Sequence, residues 1–288
     1  MRVKSFAKIN LGIEILGRRE DGYHEIRTLL QTVDLYDLLE FRLLPREAVI
    51  LEGDDETIPW NERNLIHRAA CLLKERFALK RGIKIQAKKM IPPGSGLGGG
   101  SSNAAITLLA LNKIWGLYLE KKALMELGAF IGADVPFFLE GGLCLGQGKG
   151  DQIIPLDDLA PLFCALVLPR LPISTATVYK SLPSSLTSQG KDSKIIRFLD
   201  SRELSFLENE LEETVFWLHP QIKSIKNLIQ ELGSELSLTS GSGSAVFGLF
   251  SDRWKAEKTL DAITKDHPVI LAKTVSRKDY WKEWCTGV

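Results

Sequence analysis

From Phe6 to Ile15 hydrophobic and other residues alternate with a two-residue period, Ala7, Ile9, Leu11, Ile13 and Ile15 on one face and Lys8, Asn10, Gly12 and Glu14 on the other. Successive strand side chains point to opposite faces, so this segment reads as a strand on which Lys8 and Asn10 point the same way. Read on its own, that second face is a solvated one. Across the first half the pattern predicts strands over 3–16 and 26–44, a helix over 63–78 and a strand over 82–90. Two further helices are predicted, one from Asn103 to Asn112 and one over 120–131. Between Gly141 and Asp151 the run GGLCLGQGKGD breaks the apolar pattern with glycines and charge, and a strand from Phe163 to Leu168 opens a second unit. We place the boundary between 157 and 158, giving domains 1–157 and 158–288. In the second half Pro183 to Lys194 reads as a polar surface loop, helices follow over 203–217 and 220–232, and two strands flank Ser240 to Ser244. Both halves are α+β, and no internal repeat joins them.

Composition narrows the class. With 288 residues, 44% hydrophobic and 25% charged, the chain is that of a soluble globular protein with room for two domains. A net charge of +1 gives no general attraction for nucleic acid or for an acidic membrane surface. The opening MRVKSFAKINLGIEILG lacks the apolar core of a signal peptide and no long apolar run follows, so we expect a cytoplasmic protein. Cys71, Cys144, Cys164 and Cys285 show no CxxC spacing, which favours buried reduced thiols over a zinc site or a disulfide framework. His24, His67, His219 and His267 are too dispersed to suggest a metal cluster.

The chemistry concentrates in Pro92 to Asn103, PPGSGLGGGSSN, where five glycines fall between Gly94 and Gly100. Glycine is costly in ordered structure, so such a cluster implies backbone conformations or close approaches that a Cβ would forbid. The serines are placed to cap the helix that follows, and a helix N-terminus with free N–H groups attracts phosphate. A flexible linker is the bland alternative, but linkers rarely lead straight into an apolar helix. A Walker A loop would need a lysine after the glycines, and none is present. Gly94, Gly96 and Gly99 satisfy GxGxxG, with Glu120 at the spacing of a ribose-binding acid. Against that dinucleotide reading, Pro92 and Pro93 separate strand from loop and Glu120 leads into a helical pattern. Asp134, in IGADVP, sits where Gly132 ends a helix and Pro136 holds Val135 extended; by itself it is a turn aspartate. Ser240-Gly241-Ser242-Gly243-Ser244 by itself is a hairpin turn.

PPGSGLGGGSSNAA resembles the second motif of the GHMP kinases. Four further stretches, AKINLGIEILGRREDGYHEI, NLIHRAA, IGADVPFFLEGG and TSGSGSAVFGLF, are similar in this order to the 4-diphosphocytidyl-2-C-methyl-D-erythritol kinase family. The resemblance covers both halves. It implies a two-domain α+β GHMP kinase fold, ribosomal-S5-like in the N-terminal half and ferredoxin-like in the C-terminal half. It also implies transfer of a phosphoryl group from ATP, with Mg²⁺, to the 2-hydroxyl of a small cytidine-diphosphate-linked sugar alcohol. On this resemblance Lys8 and Asp134 are catalytic, Asp134 as the base that accepts the hydroxyl proton. Asn64 and Lys89 lie near the adenine, and Pro93, Gly94, Ser95, Gly96, Leu97, Gly98, Gly99, Gly100, Ser101 and Ser102 cradle the phosphates. Tyr23 and Tyr179 sandwich the cytosine, His24 reads its polar edge, and Asn10, Thr175, Gly241 and Ser242 line the substrate's place. Taken alone, Asn64 would be a helix cap and Lys89 a solvated strand end. The resemblance assigns no Mg²⁺ ligands, since three consecutive glycines stand where other members of the superfamily carry serines, and no oligomeric state. Two rivals remain: another GHMP small-molecule kinase, and a non-catalytic nucleotide-binding module, which should lack Lys8 or Asp134.

Overall fold

The computed structural model describes residues 1–183 and 192–286. Most of the predicted polar loop at 183–194, and the Cys285 side chain, lie outside the described residues. The long strands β1 (Arg2–Arg18) and β2 (His24–Leu44) form an antiparallel hairpin. β3 (Val49–Gly53), β4 (Gly82–Lys88), β5 (Leu143–Gln147) and β6 (Gln152–Pro155) complete a six-stranded sheet in the order β3-β4-β2-β5-β6, with β1 paired to β2. Helices α1 (Leu65–Arg76), α2 (Gly99–Ile114), α3 (Lys121–Ile131) and the short α4 (Val135–Phe138) bury apolar faces against this sheet through Ile66, Leu73, Leu108, Leu124 and Phe137.

The second half carries α5 (Thr175–Lys180), α6 (Lys194–Ser201), α7 (Glu212–Leu218), α8 (Pro220–Glu231) and α9 (Arg253–Ile263) around a second sheet. Its strands β7 (Phe163–Val167), β8 (Leu236–Thr239), β9 (Val246–Phe250) and β10 (Val269–Lys273) lie in the order β10-β7-β9-β8, all antiparallel. The apolar face of β1 does not pack within its own half alone. Ala7, Ile9 and Leu11 join Leu166, Leu238 and Phe247 in one cluster, so the two sheets share a core across the division between β6 and β7. A last helix, α10 (Arg277–Thr286), returns to the first half, where Tyr280 Oη donates to Phe138 O and Trp281 Nε1 donates to Glu140 O. Among the described residues no helix is long and apolar enough to cross a membrane.

Several expectations are corrected. The polar face of β1 is not solvated: Lys8, Asn10 and Glu14 are all buried, Lys8 under the first half's glycine loop, Asn10 beside Gly241 and Glu14 under Ser193 and Ile195 of the second half. α2 begins at Gly99, not at Asn103, and no serine caps it; its N-cap is Gly98 in the left-handed region, and Ser102 Oγ is buried against Ser5 Oγ. Glu120 is the N-cap of α3, and the preceding sheet is mostly antiparallel, which removes the dinucleotide reading. Val135 is not extended; Pro136 sits in the first turn of α4, where its missing N–H costs nothing. Residues 203–217 are not one helix. A 3-10 turn at Leu204–Phe206 is followed by a rung at Asn209 that pairs with Ile13, and only then by α7. Of the thiols, Cys144 and Cys164 are buried, Cys71 is half-buried, and all three are free.

Candidate active site

The phosphate loop is stitched to β1. Lys8 N–H donates to Leu97 O at 3.0 Å, and Lys8 Nζ donates to Gly96 O at 2.7 Å and to Asn10 Oδ1. Asn10 in turn donates through Nδ2 to Thr28 Oγ1 at 2.9 Å, which fixes its amide. Burial pushes the Lys8 ammonium pKa below its ordinary range, and the Asp134 carboxylate facing it partly opposes that shift. Asp134 lies between Gly132, where α3 ends, and α4. Among the described residues its carboxylate receives no hydrogen bond. It is therefore free to accept a proton or bind a cation at the wall of a cavity of about 830 Å³ that Lys8 also lines.

Glycine is required at the loop's closest approaches. Gly96 has φ +81°, and a Cβ there would lie 2.1 Å from Ser240 O; at Gly98, φ +72°, it would lie 2.8 Å from the Phe138 ring. Gly99, Gly100 and Ser101 form the first turn of α2, whose leading N–H groups have no partner within the helix. A second cavity, of about 380 Å³, runs along the other side of this loop, and Gly96, Gly98 and Ser101 line both. The two spaces thus meet over the predicted phosphate cradle. Pro93, Gly94, Ser95, Gly99 and Gly100 line the smaller cavity, whereas Leu97 and Ser102 are buried behind the loop.

Asn64 and Lys89 also line the smaller cavity, but their polar atoms already have protein partners. Asn64 caps α1, its Oδ1 accepting Ile66 N–H at 3.0 Å, and its Nδ2 donates to Pro59 O. Lys89 Nζ forms a buried ion pair with Asp37 and donates to Asn103 Oδ1 at 2.7 Å. The other Asp37 oxygen accepts the N–H groups of Met90 and Ile91. Asp37 is thus an anchor at the root of the loop that sequence reasoning missed, since nothing in a strand pattern marks an aspartate as fully buried.

Tyr23, His24, Thr175, Tyr179, Gly241 and Ser242 all come together around the larger cavity. Tyr179 lies against His24, with ring centroids 5.2 Å apart and planes at 37°. Thr175 Oγ1 and Ser242 Oγ are 2.8 Å apart, joining α5 to the second glycine loop. Burial, and then the charge of Arg18, lowers the His24 pKa, and burial raises that of the Tyr179 phenol. Lys149 stands with Nζ 4.9 Å from the centre of the Tyr23 ring. The sequence flagged its surroundings, GQGKGD, only as a break between units; a lysine framed by glycines beside a cavity was the usable signal. Asn209 was missed as well, hidden inside a predicted helix.

The family model described as GHMP kinases N terminal domain matches residues 64–142, and GHMP kinases C terminal matches 195–269. A 4-diphosphocytidyl-2-C-methyl-D-erythritol kinase from Caldicellulosiruptor saccharolyticus is 37% identical over 98% of this chain and 99% of its own length. One from Bacillus cereus is 39% identical over 86% of this chain and 87% of its own. A crystal structure of 4-(cytidine 5'-diphospho)-2C-methyl-D-erythritol kinase superposes with a TM-score of 0.82 at 34% identity, covering 95% of this chain and 99% of that one. Sequence, fold and the two cavities meeting over a glycine loop agree: the chain belongs to the GHMP kinases and, within them, to the 4-diphosphocytidyl-2-C-methyl-D-erythritol kinase family.

Proposed function

We propose that the protein transfers the γ-phosphoryl group of ATP to the 2-hydroxyl of 4-diphosphocytidyl-2-C-methyl-D-erythritol, with Lys8 and Asp134 as its catalytic residues. The observation that carries this reading is the shared wall: Gly96, Gly98 and Ser101 belong to both cavities, with Lys8 and Asp134 beside them in the larger one. ATP in the smaller space would present its phosphates at the seam, and a hydroxyl in the larger space would face them. Phosphoryl transfer asks the protein mainly to align the groups and offset charge. Here Asp134 takes the hydroxyl proton, Lys8 holds its ammonium at the seam, and the N–H groups of Gly99 to Ser101 receive phosphate oxygens.

A Mg²⁺ ion fits the donors present. Among the described residues there is no cluster of three or more His, Cys, Asp or Glu suited to a metal. Mg²⁺ commonly binds through one or two protein oxygens together with phosphates and water, and Ser101 and Asp134 offer a hydroxyl and an unbonded carboxylate. When bound, the ion would offset phosphate charge.

The aromatic end of the larger cavity supports a nucleotide-linked acceptor over a small alcohol. Tyr23 and Tyr179 supply rings for a base, and neutral His24 supplies a group for its polar edge. A small alcohol would leave that end unfilled. The presence of both Lys8 and Asp134 likewise disfavours a non-catalytic module. The test is ADP release from Mg-ATP with a panel of diphosphocytidyl-methylerythritol, mevalonate, homoserine and galactose. We expect turnover with the cytidine compound alone; turnover of mevalonate without it would overturn the assignment.

A further inference from the structure

The chain between α6 and α7 crosses β1 as a single extended rung. Ile13 N–H donates to Glu208 O at 2.9 Å and Glu210 N–H donates to Ile13 O at 3.0 Å, on the strand that carries Lys8. Asn209, 3% exposed, turns its amide from this rung toward the second glycine loop. Its Nδ2 lies within donating distance of Gly241 O at 2.7 Å, Thr239 Oγ1 at 3.0 Å and Thr239 O at 3.1 Å, while its Oδ1 accepts Leu211 N–H at 3.0 Å. Glu212 supports the same segment: its Oε1 accepts Thr239 N–H at 2.7 Å, and its other oxygen pairs with Lys226.

The far side of the loop shares an acceptor with the catalytic lysine. Ser240 Oγ donates to Gly96 O at 2.9 Å, the carbonyl that also accepts Lys8 Nζ at 2.7 Å. A Cβ added at Gly241 would lie 3.2 Å from Asn10 Oδ1 and 3.7 Å from Lys8 Nζ, with φ +62°. A continuous set of hydrogen bonds therefore runs from the Asn209 amide to Gly241 O, along the chain to Ser240, and from Ser240 Oγ to the Gly96 carbonyl that holds the Lys8 ammonium. Only a carboxamide suits the position, because the site needs a donor toward three oxygens and an acceptor for one N–H.

We propose that Asn209 is a positioning residue for phosphoryl transfer, holding the 240–243 loop so that Gly241 and Gly96 fix the direction of the Lys8 ammonium. The inference rests on the kinase reading above. Its test is a double-mutant cycle between Asn209→Asp and Lys8→Met, with kcat and both KM values measured for all four proteins. The aspartate keeps the acceptor for Leu211 N–H but sets a carboxylate against the Gly241 and Thr239 oxygens. If Asn209 acts through Lys8, Asn209→Asp lowers kcat by about 10- to 100-fold with Lys8 present and by less than about twofold in the Lys8→Met background, residues acting as one unit being non-additive. Both KM values stay within about threefold, because the loss falls on the transition state. Equal losses in the two backgrounds, or an unchanged kcat with Lys8 present, would overturn the inference. Should Asn209→Asp fail to fold, Asn209→Ser, which shortens the side chain away from Gly241, goes through the same cycle with the same outcomes. An inactive wild type would strike the kinase reading itself, whereas an active wild type with equal losses strikes this inference alone.

Discussion

On the wall of the smaller cavity Asn64 and Lys89 have their polar atoms engaged within the protein, whereas Tyr23, on the larger cavity's wall alone, is exposed. The contrast extends to the charges. Lys89 is matched by the fully buried Asp37, while the half-buried Asp134 lines the larger cavity without capping α4. On the proposed nucleotide side the phosphates would be left to the backbone, and the side chains behind it hold that backbone in shape. On the acceptor side, under the proposed reading, side chains such as Tyr23 and Tyr179 would meet the ligand themselves. Substitutions should therefore act through stability on one side and through kinetics on the other.

The largest effect should come from Asp134→Asn. Removing a general base costs about 10²–10⁴-fold in kcat, and KM for ATP should hardly move, because the carboxylate acts chiefly in the transition state. Steady-state kinetics checks this; near-normal turnover would reduce Asp134 to a turn residue. Next is Lys89→Met, which leaves the fully buried Asp37 carboxylate without its cation. Breaking a buried pair costs about 3–5 kcal/mol, so thermal unfolding should show a clear drop in Tm. An unchanged Tm with only a raised KM for ATP would mean that Lys89 serves the nucleotide directly, and the contrast between the two walls would fail.

Tyr179→Ala should raise KM for the cytidine substrate about tenfold, since one base-ring stack contributes roughly 1–3 kcal/mol, with KM for ATP constant. The smallest effect concerns pH. His24 has its pKa lowered from 6.5, so it stays neutral at pH values where an ordinary histidine already carries charge. KM for the cytidine substrate should stay flat as pH falls through 6.5 and rise only below it, and His24→Ala should abolish that rise. A rise centred at or above 6.5 would contradict the lowered value.

What the sequence disclosed and what it hid follow from the range of the interactions. The alternation in β1 and the apolar runs of α1 and α8 are local signals, and these elements formed close to where the pattern put them. The glycine loop was legible because glycine at left-handed φ under a close neighbour is a local demand too. The residues around Asn209 carry helical spacing, yet pairing with Ile13 and hydrogen bonds to Thr239 and Gly241 hold them out of a helix; partners so distant in sequence leave no periodic trace. Asp37 and Lys89 were hidden for the same reason, since only the tertiary fold brings β2 to the end of β4. The serines misled the reading of α2, where Gly98 takes the cap position and Ser102 turns inward to Ser5.

The most direct test of the central claim, that ATP and a cytidine-linked alcohol react across the seam at Gly96, Gly98 and Ser101, is phosphorus NMR of the product mixture. Wild-type enzyme with Mg-ATP and diphosphocytidyl-methylerythritol should yield ADP in step with one new phosphomonoester signal on the cytidine compound, its diphosphate signals retained. ADP with inorganic phosphate and no new ester, or no reaction while another alcohol is phosphorylated, would contradict it.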